Sequence, residues 1–260
     1  MTRDKLLLDV GGTFIKCSDG RSIPVDSNGS REDIVSAFRK AVWDAADLAS
    51  NGVRVAIPGP FDYSDGRFLM KHKFAAVYGD FFADLAGISR EKCLFVHDVV
   101  AMLLGEVGID RENTALVTLG TGLGFAMFID GRVLTNGQGS PSVSIYARPF
   151  RDGILEDYAS KRGIQGRYGD TSISVKEIAR RAYAGDVKAR NVFAETGKII
   201  GHSIAPLLAE YDIKKMLLGG QISKSSDLFI PDLSAELPSA LEVRPIADFD
   251  NATFKGLLTL

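Results

Sequence analysis

Three glycine clusters each follow an apolar run in this 260-residue chain: DVGGT at 9–13, LGTGLG at 119–124 and LGGQ at 218–221. Glycine lets backbone N–H groups come close to phosphate oxygens and takes up turns that other residues resist. One Gly-Gly pair after a strand is most often only a turn. Three such clusters, two of them in a repeated setting, point to a nucleotide cleft and to phosphoryl transfer. Spacing excludes the better-known phosphate motifs. GxxxxGK[ST] is absent, and GTGLGF puts Phe125 where a dinucleotide fingerprint needs its third glycine. The HRD and DFG landmarks of protein kinases are absent as well.

Phosphoryl transfer to a hydroxyl needs a base, positive charge near the phosphate and a hold on both reactants. Asp98 closes CLFVHD and precedes the apolar VVAMLL. A carboxylate there is costly to desolvate without partners. At a strand's C-terminal end it faces the crevice where open α/β sheets bind ligands. It reads as the general base; the other reading, N-cap of the following helix, is compatible with the first. Asp9 ends the first strand beside Gly11 and Gly12 and suits Mg²⁺, directly or through water; its alternative is an acid that caps the turn. Lys16 faces opposite to Ile15 by strand alternation, and either reaches the transferred phosphoryl group or is a solvated strand lysine. Glu156 is either a surface acid or a ligand for a polyol hydroxyl. Of His72, His97 and His202, none has metal-binding spacing, and His97 borders the proposed base.

Elements must position these residues. KLLLDV (5–10) and FIKCS (14–18) read as strands about the first glycine turn, with Asp19-Gly20 as a hairpin signal. Residues 31–50 read as a helix with Ser30 as N-cap, and VRVAI as a strand entering the stiff Pro58-Gly59-Pro60 loop. Helices at 78–87 and 99–107 follow. At 114 the plan restarts: TALVTLGTGLGFAMFIDGR repeats KLLLDVGGTFIKCSDGR. Gly12-Thr13 matches Gly120-Thr121, and Asp19-Gly20-Arg21 matches Asp130-Gly131-Arg132. The repeat predicts two α/β domains, 1–107 and 108–260, about a cleft, with 245–260 returning to the first. Residues 135–153 form a turn-rich wrapping segment. Later helices are expected at 154–162, 174–184 and 188–210, then a strand in 215–223 and a helix capped by Ser225 or Ser226.

Composition narrows the partners. Hydrophobic residues make up 45% and charged residues 25%, as in ordinary globular proteins. Lys plus Arg is 31 against 33 Asp plus Glu, a net charge of -2, and the densest basic run is Lys71-His72-Lys73. That is no footprint for nucleic acid. Cys17 and Cys93 alone cannot build a Cys-rich zinc site and suit a reduced, cytoplasmic compartment. No apolar run reaches the roughly 18 residues of a membrane span, and the first is too short for a signal core.

On these residues the chain resembles the ROK sugar kinases, within the actin-like ATPase superfamily that also holds hexokinases and Hsp70. LLLDVGGTFIK is similar to the family's first phosphate motif and TLGTGLGFAMFIDGR to its second. VAIPGPFD resembles its IPGPVD stretch, HDVVAMLLGE its NDANAAALGE segment, ILEDYASKRGI its LExxAS segment and MLLGGQIS its adenosine motif. The resemblance implies a duplicated actin-like (ribonuclease H-like) α/β fold around a central cleft. It also implies phosphorylation of a hexose or N-acetylhexosamine by ATP with Mg²⁺. By this resemblance Asp98 is the catalytic base, with Lys16 assisting. His97, Asp98, Glu156 and Gly59 meet the acceptor. Gly11, Gly12, Thr13, Lys16, Thr121 and Gly122 contact phosphate, Gly219 and Gly220 pack on adenosine, and Asp9 faces the metal.

Three departures bear on the acceptor. His97 stands where the family has asparagine. SPSVS (140–144) replaces an ExGH segment, and YARPFRDG (146–153) replaces the CxCGxxGC cluster, so no structural zinc is expected. Without that glutamate and histidine, glucose held in the family's pose leaves hydroxyls unpaired. Either Tyr146, Arg148 or Arg151 replaces them, or the acceptor is not glucose. The two arginines would suit an acidic sugar, or are simply solvated. The DNA-binding extension of the family's repressors is not expected in a chain that begins on strand one. The expectation is an ATP-dependent carbohydrate kinase with a small-molecule substrate, no nucleic acid and no membrane, and with a homodimer allowed. The alternatives are a kinase for another acceptor and a weakly catalytic nucleotide- or sugar-binding protein.

Overall fold

In the computed structural model, which describes residues 5–107 and 111–260, the chain forms two compact units. The first comprises Met1–Gly105, Thr135–Ser142 and Asn251–Leu260; the second comprises Glu106–Leu134 and Val143–Asp250. The expected division at 107/108 abuts residues 108–110, which, like residues 1–4, lie outside the described residues.

The first unit begins with β1 (Leu6–Val10), β2 (Phe14–Cys17) and β3 (Ser22–Pro24), followed by α1 (Arg31–Trp43) and α2 (Ala46–Ser50). Next come β4 (Val53–Ile57), the small hairpin of β5 (Phe61–Asp62) and β6 (Arg67–Phe68), α3 (Phe82–Ala86), β7 (Cys93–His97) and α4 (Asp98–Glu106). The main sheet has the order β3-β2-β1-β4-β7, antiparallel from β3 to β1 and parallel from β1 to β7. Its core is aromatic. The Phe38 ring lies 4.9 Å from Phe82, 5.7 Å from Phe68 and 5.9 Å from Phe74, and all four side chains are buried. Each such burial contributes roughly 1.5–3 kcal/mol. The Ser30 hydroxyl caps α1 by accepting the Asp33 N–H at 3.2 Å. The helix expected over 31–50 breaks at Asp44–Ala45, and that expected over 78–87 shrinks to α3. Gly79, at φ 85°, and the extended Phe81 keep its first turns from being helical.

The chain's last helix, Ala252–Thr259, packs on β1 and β4. It meets α4 backbone to backbone. A Cβ on Gly256 would lie 1.7 Å from the Ala101 carbonyl oxygen, and one on Gly105 would lie 2.0 Å from that of Ala252.

The second unit runs β8 (Thr114–Leu119), β9 (Leu123–Ile129), β10 (Arg132–Val133), the hairpin β11 (Pro149–Phe150) with β12 (Gly153–Ile154), then α5 (Leu155–Ala159) and α6 (Lys161–Tyr168). It continues through α7 (Val175–Tyr183), α8 (Val187–Glu210), β13 (Lys215–Gly219), α9 (Ile230–Ala235) and β14 (Glu242–Pro245). Its sheet order, β10-β9-β8-β13-β14, reproduces the first sheet strand for strand: antiparallel up to β8 and parallel beyond it. The duplicated α/β plan read from the glycine turns is therefore present. Asp130 and Gly131, at φ 50° and 83°, make the tight hairpin turn that the Asp-Gly signal predicts. The core here is mainly aliphatic, built on Val117, Leu119, Ile178, Ile200, Ile204 and Leu218.

Two local expectations fail in this unit. Residues 154–162 are not one helix, because Ser160, at φ -111° and ψ -175°, separates α5 from α6. Ser225 and Ser226 do not cap α9. Both lie inside a 3₁₀ helix, Ile222–Leu228, and α9 starts after Phe229 with a proline in its first turn. No helix among the described residues is long and apolar enough to cross a membrane.

Candidate functional site

Parallel pairing gives β1, β4 and β7 a common C-terminal edge. The register sets Asp9 beside Ala56 and Ile57 beside His97, and α4 starts at Asp98. Across the antiparallel pair, Asp9 faces Lys16. Residues far apart in sequence thus gather on one edge: Asp9, Lys16, His97 and Asp98.

Their electrostatics differ. Burial, then the negative charge of Asp98, pushes the Asp9 carboxyl up to about 6, while Lys16 pulls it the other way. Burial acts in the same upward sense on Asp98. It is outweighed by His97, by the hydrogen bond from the Val99 N–H and by the charge of Lys73, so this carboxyl sits below its ordinary value. The Asp98 side chain is nevertheless 36% exposed and reachable. Its Oδ1 accepts the Val99 N–H at 2.8 Å and stands 2.8 Å from His97 Nδ1. The Val99 N–H is also 3.3 Å from Nδ1. The Val99 N–H is thus shared between Oδ1, the shorter and charge-assisted contact, and Nδ1.

Gly59 lies against the same histidine, where a Cβ would stand 3.4 Å from His97 Nε2. Its peptide bond to Pro60 is cis. In the turn between β5 and β6, Tyr63 is buried, donates its hydroxyl to the Ile57 carbonyl at 3.0 Å, and tilts its ring 5.6 Å from that of His97.

The glycine turns are each tied down through the backbone. In the first, the Gly11 N–H donates to Phe14 O at 2.9 Å, and the Gly12 and Thr13 carbonyls accept from Ser27 and Val25. In the second, the Gly120 N–H donates to Gly122 O at 3.0 Å, and Gly120 O accepts the Lys161 N–H at 2.9 Å. Thr121 and Gly122 are exposed. In the third, Gly219 pairs with Thr118 in the sheet, so this turn adjoins the second. Gly220, at φ 81°, lies so close to β8 that a Cβ would be 2.3 Å from Leu119 O.

The first unit therefore holds Asp9, Gly11, Gly12, Thr13, Lys16, Gly59, His97 and Asp98. The second holds Thr121, Gly122, Glu156, Gly219 and Gly220.

Glu156 is engaged by protein on both oxygens. Oε2 accepts the Leu123 N–H of the second turn at 2.8 Å, and Oε1 lies 3.2 Å from Arg162. Both arginines of the turn-rich segment have partners within the protein. Arg148 donates to Ser203 O at 3.0 Å, while Arg151 pairs with Glu195 at 3.2 Å and lies over the Phe150 and Tyr158 rings. Where the resemblance puts a zinc cluster, the chain forms the β11–β12 hairpin, braced by Phe150 edge-on to Tyr158 at 5.0 Å. Sequence reasoning missed Lys73 and Tyr63. Lys73 belongs to the basic run, whose charge is felt at Asp98; nothing in the spacing of Tyr63 marks it.

Among the described residues, no group of three or more His, Cys, Asp or Glu could hold a metal ion. Mg²⁺ in phosphoryl-transfer sites commonly takes one or two carboxylates plus water and phosphate oxygens. Asp9, a crowded carboxylate near a second negative charge, fits that mode.

A model described as the ROK family matches residues 8–246. The chain is 24% identical over 209 residues to the N-acetylglucosamine repressors of Escherichia coli O157:H7 and Shigella flexneri, covering 70% of this chain and 51% of theirs. It thus spans about half the length of those relatives. It is 25% identical over 244 residues to the beta-glucoside kinase of Klebsiella pneumoniae, covering 82% of this chain and 80% of that one. A ROK family glucokinase from Streptomyces griseus, solved in complex with glucose and AMPPNP, superposes with a TM-score of 0.77 at 20% identity over 97% of each chain.

Proposed function

The chain belongs to the ROK family, and from that premise we propose that it is an ATP-dependent carbohydrate kinase. The reading rests above all on Asp98: an anionic, reachable carboxylate whose Oδ1 accepts the Val99 N–H and lies 2.8 Å from His97 Nδ1, on the edge where the first glycine turn ends. Asp98 Oδ2 takes the proton of the acceptor hydroxyl as that oxygen attacks phosphorus. Lys16 offsets charge on the transferred group. In the first unit the Gly11 N–H is already given to Phe14 O, which leaves the N–H groups of Gly12 and Thr13 for phosphate oxygens. In the second unit those of Thr121 and Gly122 serve phosphate, and Gly219 with Gly220 serves adenosine. Asp9 would hold Mg²⁺, whose charge would offset that of the phosphates.

The acceptor is a neutral sugar or polyol, since Arg148 and Arg151 have partners within the protein. It is not held as glucose is held through the family's ExGH segment. The beta-glucoside kinase relative supports the class and not the individual sugar. A second reading, a binding protein with little turnover, draws on Glu156, which sits on a turn N–H that a ligand oxygen would otherwise take.

A coupled ADP-release screen over hexoses, N-acetylhexosamines, pentoses and polyols with Mg-ATP tests the proposal. At least one neutral acceptor should raise ADP release well above the acceptor-free rate. Tight ATP binding with no acceptor-dependent release would favour the second reading.

A further inference from the structure

His97 occupies the position beside the base, and its surroundings constrain what it can do. Two close contacts to Asp98 fall on Oδ1: the Val99 N–H donates to it at 2.8 Å, and His97 Nδ1 stands 2.8 Å away. That arrangement restrains the carboxylate's rotation through one oxygen and leaves the other for an acceptor. The imidazole itself is 18% exposed and is bounded by the Tyr63 ring and by Gly59.

Tyr63 is in turn held by residues that lie far along the chain. Its N–H donates to Gln138 O at 2.9 Å, and Gly139, at φ 85°, lies so close that a Cβ would be 2.9 Å from the Tyr63 Cβ. Asn136 shapes this segment: its side-chain oxygen accepts the Gln138 and Ser140 N–H groups at 3.0 and 3.1 Å. Residues 135–142 thus cluster with the first unit and press on the ring that backs His97.

We infer that His97 is a positioning residue for Asp98 and not a ligand of the acceptor, with Tyr63 and the 135–142 segment as its support. Its role is to donate from Nδ1 and hold Oδ1, so that Oδ2 meets the incoming hydroxyl. The inference rests on the kinase reading for its effect on turnover, but its hydrogen bond is a property of the free protein.

Two side chains separate the roles. Asparagine places its amide nitrogen where Nδ1 is; glutamine places it near Nε2. Steady-state kinetics on the best acceptor should show H97N within about threefold of wild type in kcat, and H97Q about 10- to 100-fold lower with KM little changed. That range is what a misaligned general base would lose. A raised KM in H97N with near-normal kinetics in H97Q would overturn the inference and make His97 an acceptor ligand through Nε2. Independently of turnover, ¹⁵N NMR of the wild-type imidazoles, assigned by difference from H97N, should find His97 protonated at Nδ1 at neutral pH. An Nε2-protonated neutral tautomer would refute the inference even if no acceptor were found. Absence of turnover together with the Nδ1 tautomer would instead count against the kinase reading alone.

Discussion

The two glycine turns that open the repeated sheets occupy equivalent places in one strand plan, yet their neighbours are opposite in kind. The first ends β1 beside Asp9, which repels Asp98 and stays hard to ionise. The second ends β8 beside Glu156, whose charge is already met by the Leu123 N–H and by Arg162. Both turns are followed by an antiparallel strand, and both strands are followed by a third. Duplication has supplied the backbone twice. The acids beside the turns differ in origin: Asp9 stands on β1 itself, with Asp98 at the start of α4, whereas Glu156 comes from α5. A carboxylate kept under electrostatic stress is available to substrate or cation; one that is satisfied braces the turn.

Exchanging the acids should break this comparison most visibly. Asp98→Asn keeps the shape and the Oδ1 contacts but removes the base, so kcat should fall by about 10²–10⁴ while ATP affinity, read by calorimetry, stays within about twofold. Glu156→Gln should cost far less in kcat, because its amide oxygen can still accept from Leu123. Equal losses in the two variants would erase the distinction.

The stress on Asp9 can be read from stability against pH. Its pKa is about 6 folded against an ordinary 3.8, so the folded state holds the proton more tightly. Its contribution is fully present below about pH 4 and is lost as pH rises through 6, a span worth up to about 3 kcal/mol. Asp9→Asn should therefore match wild type in urea unfolding at pH 4 and exceed it at pH 8, while losing Mg²⁺-dependent nucleotide binding. Equal stabilities at pH 8 would mean that Asp9 carries no such stress.

Glycines sharpen the comparison within the second unit. Gly220→Ala forces a left-handed residue against Leu119 O and should destabilise by roughly 2 kcal/mol. Around Gly120 a Cβ meets nothing within 4 Å. Gly120→Ala should thus leave thermal stability near wild type and weaken ATP binding by about tenfold, if phosphate comes close there. The smallest effects belong to the arginines. Arg151→Ala should change acceptor KM by less than about twofold, since its partners are Glu195 and two rings; Arg151 pairs at the surface, where such contacts are worth little.

Much of this was legible in the residues. Strand, glycine turn, strand and Asp-Gly recur because each sheet needs the same hairpin, so the duplication is written in local sequence. Asp98 was legible because a carboxylate between two apolar runs needs a reason. Tyr63 was not, because its role comes from a buried ring touching His97 and from Gly139, residues whose proximity no local pattern encodes. The fate of Arg148 and Arg151 was equally hidden. Guanidinium groups signal an anion site in sequence, and only the packing of Ser203, Glu195 and Phe150 reveals that protein fills the role.

The central claim is that this chain moves phosphate from ATP to a sugar. Phosphorus NMR of a reaction containing Mg-ATP and the best acceptor follows every phosphate species at once. The account predicts a sugar phosphomonoester growing in step with ADP, with little inorganic phosphate. ADP appearing with equimolar inorganic phosphate, or ATP left unchanged in the presence of every acceptor, would contradict it.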